Sequence, residues 1–224
     1  MTVEVRNVRR FDRVRFMGPG VLKVTHADTE SLTIHAPSYV IKDILSDVKD
    51  GELRLGYRTP KIVSLRVHRE VISYSLKLRD LRQLTVTGMG RVIVPDLDND
   101  QIRVAVDGIG QVSLEHVTAD RLEAIISGAG SIKAKGDVEA QSILISGAGQ
   151  YRAADLISDF AEVKITGAGT ADVSVSEDLD VVISGAGRVT YAGYPEIVKR
   201  ISALGQLTRR RRTKRHQMNG EEHG

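Results

Sequence analysis

A chain of 224 residues with 41% hydrophobic and 27% charged side chains has the composition of a globular protein, not of a disordered one. It has no cysteine and no tryptophan, and only 4% of it is aromatic. This excludes disulfide frameworks, thiol nucleophiles, thiolate zinc sites and iron–sulfur clusters, and it leaves few platforms for stacking on sugars or bases. The net charge of +3 is uneven: residues 208–224 hold six Lys/Arg against two acids, and the preceding chain holds 26 against 27. A near-neutral body argues against a nucleic-acid-binding core, which needs a basic face. No apolar stretch is long enough to span a membrane. The opening MTVEVRNVRRFDRVRF carries charges where a signal peptide needs an apolar run, so the expectation is a cytoplasmic chain, or a secreted or surface one if a leader has been removed.

Residues 1–80 are irregular. Strand-like runs fall at 12–17, 21–25, 31–35 and 52–57, with Gly18-Pro19-Gly20 turning between the first two. Ser38 is a candidate N-cap for a short helix running to Asp47, in which Val40, Ile41, Ile44, Leu45 and Val48 keep helical spacing. Asp50-Gly51 is a turn, and residues 62–67 and 71–78 read as strands. This segment is expected to supply the first coils and a cap.

From residue 81 a repeat takes over. Gly-x-Gly recurs at Gly88, Gly108, Gly128, Gly147, Gly167 and Gly185, with a degenerate copy at Ala203-Leu204-Gly205. A period near 20 marks a solenoid. Two residues before each copy stand Val86, Val106, Ile126, Ile145, Ile165, Ile183 and Ile201, all β-branched. One residue before it stand Thr87, Asp107, Ser127, Ser146, Thr166, Ser184 and Ser202, all polar. Val92, Val112, Ile132, Tyr151, Ala171, Val189 and Leu207 follow each copy by two residues. Alternation of period 2 on both sides of a glycine corner predicts strand, corner, strand. The fold class is therefore all-β: a right-handed parallel β-helix, its hand taken from the crossover rule. The β-branched column forms an internal ladder, the glycines serve positive φ or close backbone approach, and the hydroxyl column points outward or bonds along the ladder. The expected organisation is a single solenoid domain over 1–208, irregular over 1–80 and regular over 81–207, followed by a disordered basic tail over 209–224.

The segments FDRVRFMGPGVLKV, ESLTIHAPSYVIKDILSDVKDGELRL and ISYSLKLRDLRQLTVTGMGRV, followed by the ISGAG/ITGAG repeats ending in ISGAGRVTYAGYP, resemble the head GIN domain family of bacterial auto-transporter adhesins. The resemblance covers about residues 3–207. It implies a right-handed β-helix and a protein that is often secreted or attached to the cell surface, and it brings no catalytic residues.

A dinucleotide-binding loop needs a third glycine three residues after the second and then a helix, but Ile93, Ser113, Arg152 and Thr190 stand there and strands follow. Calcium β-roll repeats place Asp two residues after a glycine, which here is the apolar column. Carboxylates are frequent on turns (Asp96, Asp98, Asp100, Asp120, Asp137, Asp155, Asp172, Asp178 and Asp180), and Asp96-x-Asp98-x-Asp100 is the only tight cluster. It reads as a solvated turn, with an acid–base or metal pair as the sharper alternative. His26, His35, His68, His116, His216 and His223 form no ligand spacing, and no Gly-x-Ser-x-Gly elbow occurs. No catalytic, cofactor-binding or metal residue is assigned and no cofactor is expected. The function expected is a non-enzymatic binding or structural scaffold, associated with adhesion or the cell envelope. A polysaccharide-active β-helix enzyme, or a cytoplasmic scaffold held on polyanions by its tail, is the alternative. The partners expected are a polysaccharide or other cell-surface polymer, a second copy of the chain, and weak polyanion contact through Arg209, Arg210, Arg211, Arg212, Lys214 and Arg215.

Overall fold

The computed structural model describes residues 1–57, 72–202 and 204–210. Apart from one 3-10 turn at Ile41–Asp43, its regular structure is all strand. In chain order the strands are β1 (Thr2–Arg6), β2 (Arg13–Phe16), β3 (Val21–His26), β4 (Ser31–Ala36), β5 (Ile44–Lys49), β6 (Glu52–Tyr57), β7 (Ser73–Leu78), β8 (Gln83–Val86) and β9 (Arg91–Val94). They continue as β10 (Leu97–Asp98), β11 (Gln101–Val106), β12 (Gln111–Ile126), β13 (Ser131–Ile145), β14 (Gln150–Ile165), β15 (Thr170–Ile183), β16 (Arg188–Ala192), β17 (Glu196–Ile201) and β18 (Gln206–Arg209).

From β8 onward each coil stacks in parallel on the previous one, one repeat later: Val106 pairs with Ile126, Ile126 with Ile145, Ile145 with Ile165, and Ile165 with Ile183. The fold is a parallel β-solenoid, as the repeat predicts. The long strands bend rather than run straight. In β12 the register shifts between Leu114 and Val117, which divides the coil between one face before the shift and another after it.

Burial follows the predicted columns. Val86, Val106, Ile126, Ile145, Ile165 and Ile183 are fully buried, and each buried Ile or Val stabilises the fold by roughly 1.5–3 kcal/mol. Ile201, the seventh member, is 37% exposed, because no described strand lies beyond it. The second column varies in size and still packs, since the large Tyr151 stacks beneath the small Ala171.

The corner glycines serve close approach. Positive φ is found at Gly20, Gly51, Gly136 and Gly193, and at none of the Gly-x-Gly positions. At three corners the middle residue donates its N–H to the first glycine's carbonyl one coil back: Ala129 to Gly108, Ala148 to Gly128 at 3.1 Å, and Ala168 to Gly147. A Cβ on Gly147 would fall onto that same Gly128 carbonyl oxygen. The second glycine makes room for the ladder itself: a Cβ at Gly187 would lie 2.5 Å from Ile165 Cγ2, and Gly149 and Gly169 meet Ile126 and Ile145 in the same way. The glycine column and the β-branched column are therefore one packing device.

The described residues before β8 use the same coil but stack it out of order. β2 lies between β6 and β8, and β3 between β7 and β9, so the coil written second in the chain lies outside the first. Antiparallel strands then close this end: β5 on β6, β4 on β7, and β1 on β4. The expected helix from Ser38 to Asp47 does not form. Only Ile41–Asp43 makes a 3-10 turn, with no side-chain cap, and Ile44 begins β5. A short isolated helix is marginal. Here a hairpin competes, turning through Asp50 (φ 51°) and Gly51 (φ 74°) and pairing Ile44–Lys49 with β6. Val40, Ile41 and Ile44 are buried all the same. The strand expected at 62–67 lies outside the described residues.

At the other end Arg209 closes β18, and Arg210 donates its N–H to Tyr191 O at 2.7 Å and pairs with Asp172 at 3.6 Å. Ordered stacking thus extends past the expected tail boundary at 208. The rest of the expected disordered tail lies outside the described residues.

Candidate binding surface

Because the coils are in register, any outward position repeats along the stack at about 4.8 Å. Two such columns stand out. The first is the predicted hydroxyl column, and Thr87, Ser127, Ser146, Thr166, Ser184 and Ser202 are all exposed. Ser127 Oγ donates to Asp107 Oδ1 at 2.8 Å and Ser202 Oγ to Ile183 O at 3.3 Å. Among the described residues the other four hydroxyls of the column make no protein hydrogen bond, so most of the column faces solvent with its donors free.

The second column was not recognised from sequence. Asp100, Asp120, Glu139 and Asp159 are exposed on successive coils, as the pairings on either side of them require. Their spacing of 20, 19 and 20 residues is that of the glycines, and this could have revealed the stack. Ser176 Oγ bonds Asp159 Oδ1 at 2.8 Å and continues the column. The Asp96-x-Asp98-x-Asp100 cluster does not converge on one point. Asp96 lines a cleft with His26 and Asp80, whereas Asp100 lines the acidic face with Asp120 and Asp137, and Asp98 borders both. Among the described residues no three carboxylates or imidazoles are placed to hold a metal ion.

Other polar groups serve the fold. Glu52 lies under Arg15 and Arg54, at 3.1 Å from each. Burial works against its ionisation, but the hydrogen bonds and charges of the two guanidiniums outweigh it and hold the carboxyl below its ordinary range. In mid-stack Gln141 occupies an inward position and is satisfied there: Tyr151 Oη donates to its Oε1 at 3.0 Å, and its Nε2 donates to Ser158 Oγ at 2.7 Å. Burial pushes the Tyr151 phenol far above its usual range. Near the closed end, burial raises Tyr57 to about 12.

A regular parallel solenoid with repeating polar columns on its sides, and with its inward columns filled by apolar packing, is the class of fold these coils define. The family model for "putative auto-transporter adhesin, head GIN domain" matches residues 10–195, and the chain belongs to that family. Solved structures share the fold. A putative adhesin from Bacteroides fragilis aligns with TM-score 0.86 at 22% identity over 93% of this chain and 96% of its own. A putative lipid binding protein from Parabacteroides distasonis aligns with TM-score 0.77 at 22% identity over 94% and 96%. A putative adhesin from Parabacteroides merdae aligns with TM-score 0.72 at 17% identity over 94% and 96%. A search of curated proteins found no match.

Proposed function

We propose that the chain is a non-catalytic binding scaffold of the bacterial surface, whose lateral columns hold a polymeric ligand. The observation that carries this reading is the exposed hydroxyl column, in which a Ser or Thr on every coil but that of Asp107 presents mostly free donors at strand spacing. A polymer laid along the stack meets the same contact repeatedly, so weak individual bonds sum through effective concentration. The family's adhesin description supports a surface location over a cytoplasmic one. No helix among the described residues is long and apolar enough to cross a membrane.

The test is to titrate the protein with neutral and uronic-acid polysaccharides while following reducing ends and unsaturated products. Binding without turnover, weakened stepwise in Ser146→Ala and then Ser146→Ala/Thr166→Ala/Ser184→Ala, is expected. Sustained turnover abolished by Asp98→Asn would replace the scaffold with a β-helix enzyme.

A further inference from the structure

We infer that the open C-terminal end of the solenoid docks on an anionic lipid surface. The last coil, β17 and β18, carries Ile197 and Ile201 in inward columns with no described strand above them, and they are 38% and 37% exposed. Around its rim Tyr194, Val198 and Leu204 are 87%, 59% and 79% exposed. This is the apolar end a further coil would cover, but two positions forbid one. Lys199 stands on Val181, in a column that is apolar through Ala124, Ile143 and Val163, and Arg209 stands on Tyr191. Another coil, from this chain or a second copy, would bury Lys199 with no carboxylate beside it among the described residues, and Arg209 with only the Tyr194 ring against it.

A layer of lipid headgroups meets both demands. The end coil presents Lys199, Arg200, Arg209 and Arg210 against a single acid of its own, Glu196. Arg200 and Arg210 also reach Asp180 and Asp172 of the coil below, at 3.7 and 3.6 Å, which leaves Lys199 and Arg209 as the cations with no carboxylate partner among the described residues. The Arg209 guanidinium lies 3.6 Å above the Tyr194 ring and pairs a cation with an amphipathic aromatic, the combination that settles at headgroup depth. Phosphates meet the cations while Tyr194, Val198 and Leu204 reach the acyl boundary. A nucleic acid would use the charge and leave the aliphatic residues in water. The inference does not depend on the polysaccharide reading, because it concerns the end of the stack and not its sides.

The experiment uses the full chain with vesicles of phosphatidylcholine alone and of phosphatidylcholine with 30% phosphatidylglycerol, and with duplex DNA as a second polyanion, in co-sedimentation or anisotropy. Selective binding to the anionic vesicles is expected, falling about fivefold for each basic residue removed. It should fall several-fold in the charge-neutral variant Tyr194→Ser/Val198→Ser, with polysaccharide binding and melting temperature unchanged. These positions are exposed, so the variants should fold. Three results would overturn the inference: vesicle binding indifferent to Tyr194→Ser/Val198→Ser, DNA bound as tightly as anionic vesicles, or a dimer in sedimentation that this double variant dissociates.

Discussion

The two ends of the solenoid solve the same problem in opposite ways. At the N-terminal end β5, β4 and β1 turn antiparallel and close the stack, and the inward side chains Leu53, Leu55, Tyr74 and Leu76 are fully or almost fully buried. At the C-terminal end the coils stay parallel to the last described strand, Ile197 and Ile201 are partly exposed, and Lys199 and Arg209 interrupt the inward columns. A parallel coil exposes a strand edge and an apolar end together. Among the described residues the antiparallel layer covers the inward side chains and moves the strand edge out to β1 and β5, with Val3 and Val5 of β1 exposed, whereas cations at inward-column positions leave the other end uncovered and oppose further stacking. The first end is built for stability and the second for contact.

The sharpest way to break this comparison is to make one change at two places in one column. Ile145→Asp should cost roughly 4 kcal/mol or more, from an unpaired buried charge and a lost core side chain, and should abolish cooperative unfolding near ordinary temperatures. Ile201→Asp should cost under about 1 kcal/mol, because its site is already partly wet. Thermal or urea unfolding of the pair measures the contrast, and similar losses would mean that the C-terminal end is covered. Next in size is Gly149→Ala, whose Cβ meets Ile126 from the coil below. Urea unfolding should show a loss of about 1–3 kcal/mol by overpacking.

How far the sequence was legible follows from the same contrast. The regular coils could be read because each contact is local to the repeat: Ile165 two residues before its glycine implies Ile183 above it. The N-terminal half could be read only in pieces. Its strands at 21–26, 31–36 and 52–57 fall near the predicted runs, but nothing local shows that β6 stacks outside β2. Residues 38–47 keep helical spacing, yet form only a 3-10 turn at Ile41–Asp43 before Ile44 enters β5, because the partner strand β6 lies across the Asp50-Gly51 turn. The polar columns were half visible. Ser146 and its equivalents were found beside the glycines, while Glu139 and Asp159 were missed for want of a neighbouring motif. Lys199 carries no signal of its own until the register places it above Val181.

Smaller effects sharpen the account. Tyr151→Phe should lower stability by about 1–2 kcal/mol in urea unfolding, since it leaves Gln141 Oε1 buried with one donor fewer. Glu52 lends the closed end a pH dependence. Its folded-state pKa is depressed, so its contribution is fully present above the unfolded value of about 4.3 and is lost as pH falls through the lower folded value. Acid titration of stability should show this limb in the native chain and lose it in Glu52→Gln. Ser146→Ala, on the exposed column, should change the melting temperature least of all, by under about 0.5 kcal/mol in free-energy terms.

Amide hydrogen exchange resolved along the chain tests the difference between the ends most directly. Slow exchange is predicted through β12 to β15, with protection also in β6 and β7 beneath their antiparallel cover, and the fastest strand exchange in β17 and β18. If β6 and β7 exchange as fast as β17 and β18, the N-terminal end is not closed and the account fails.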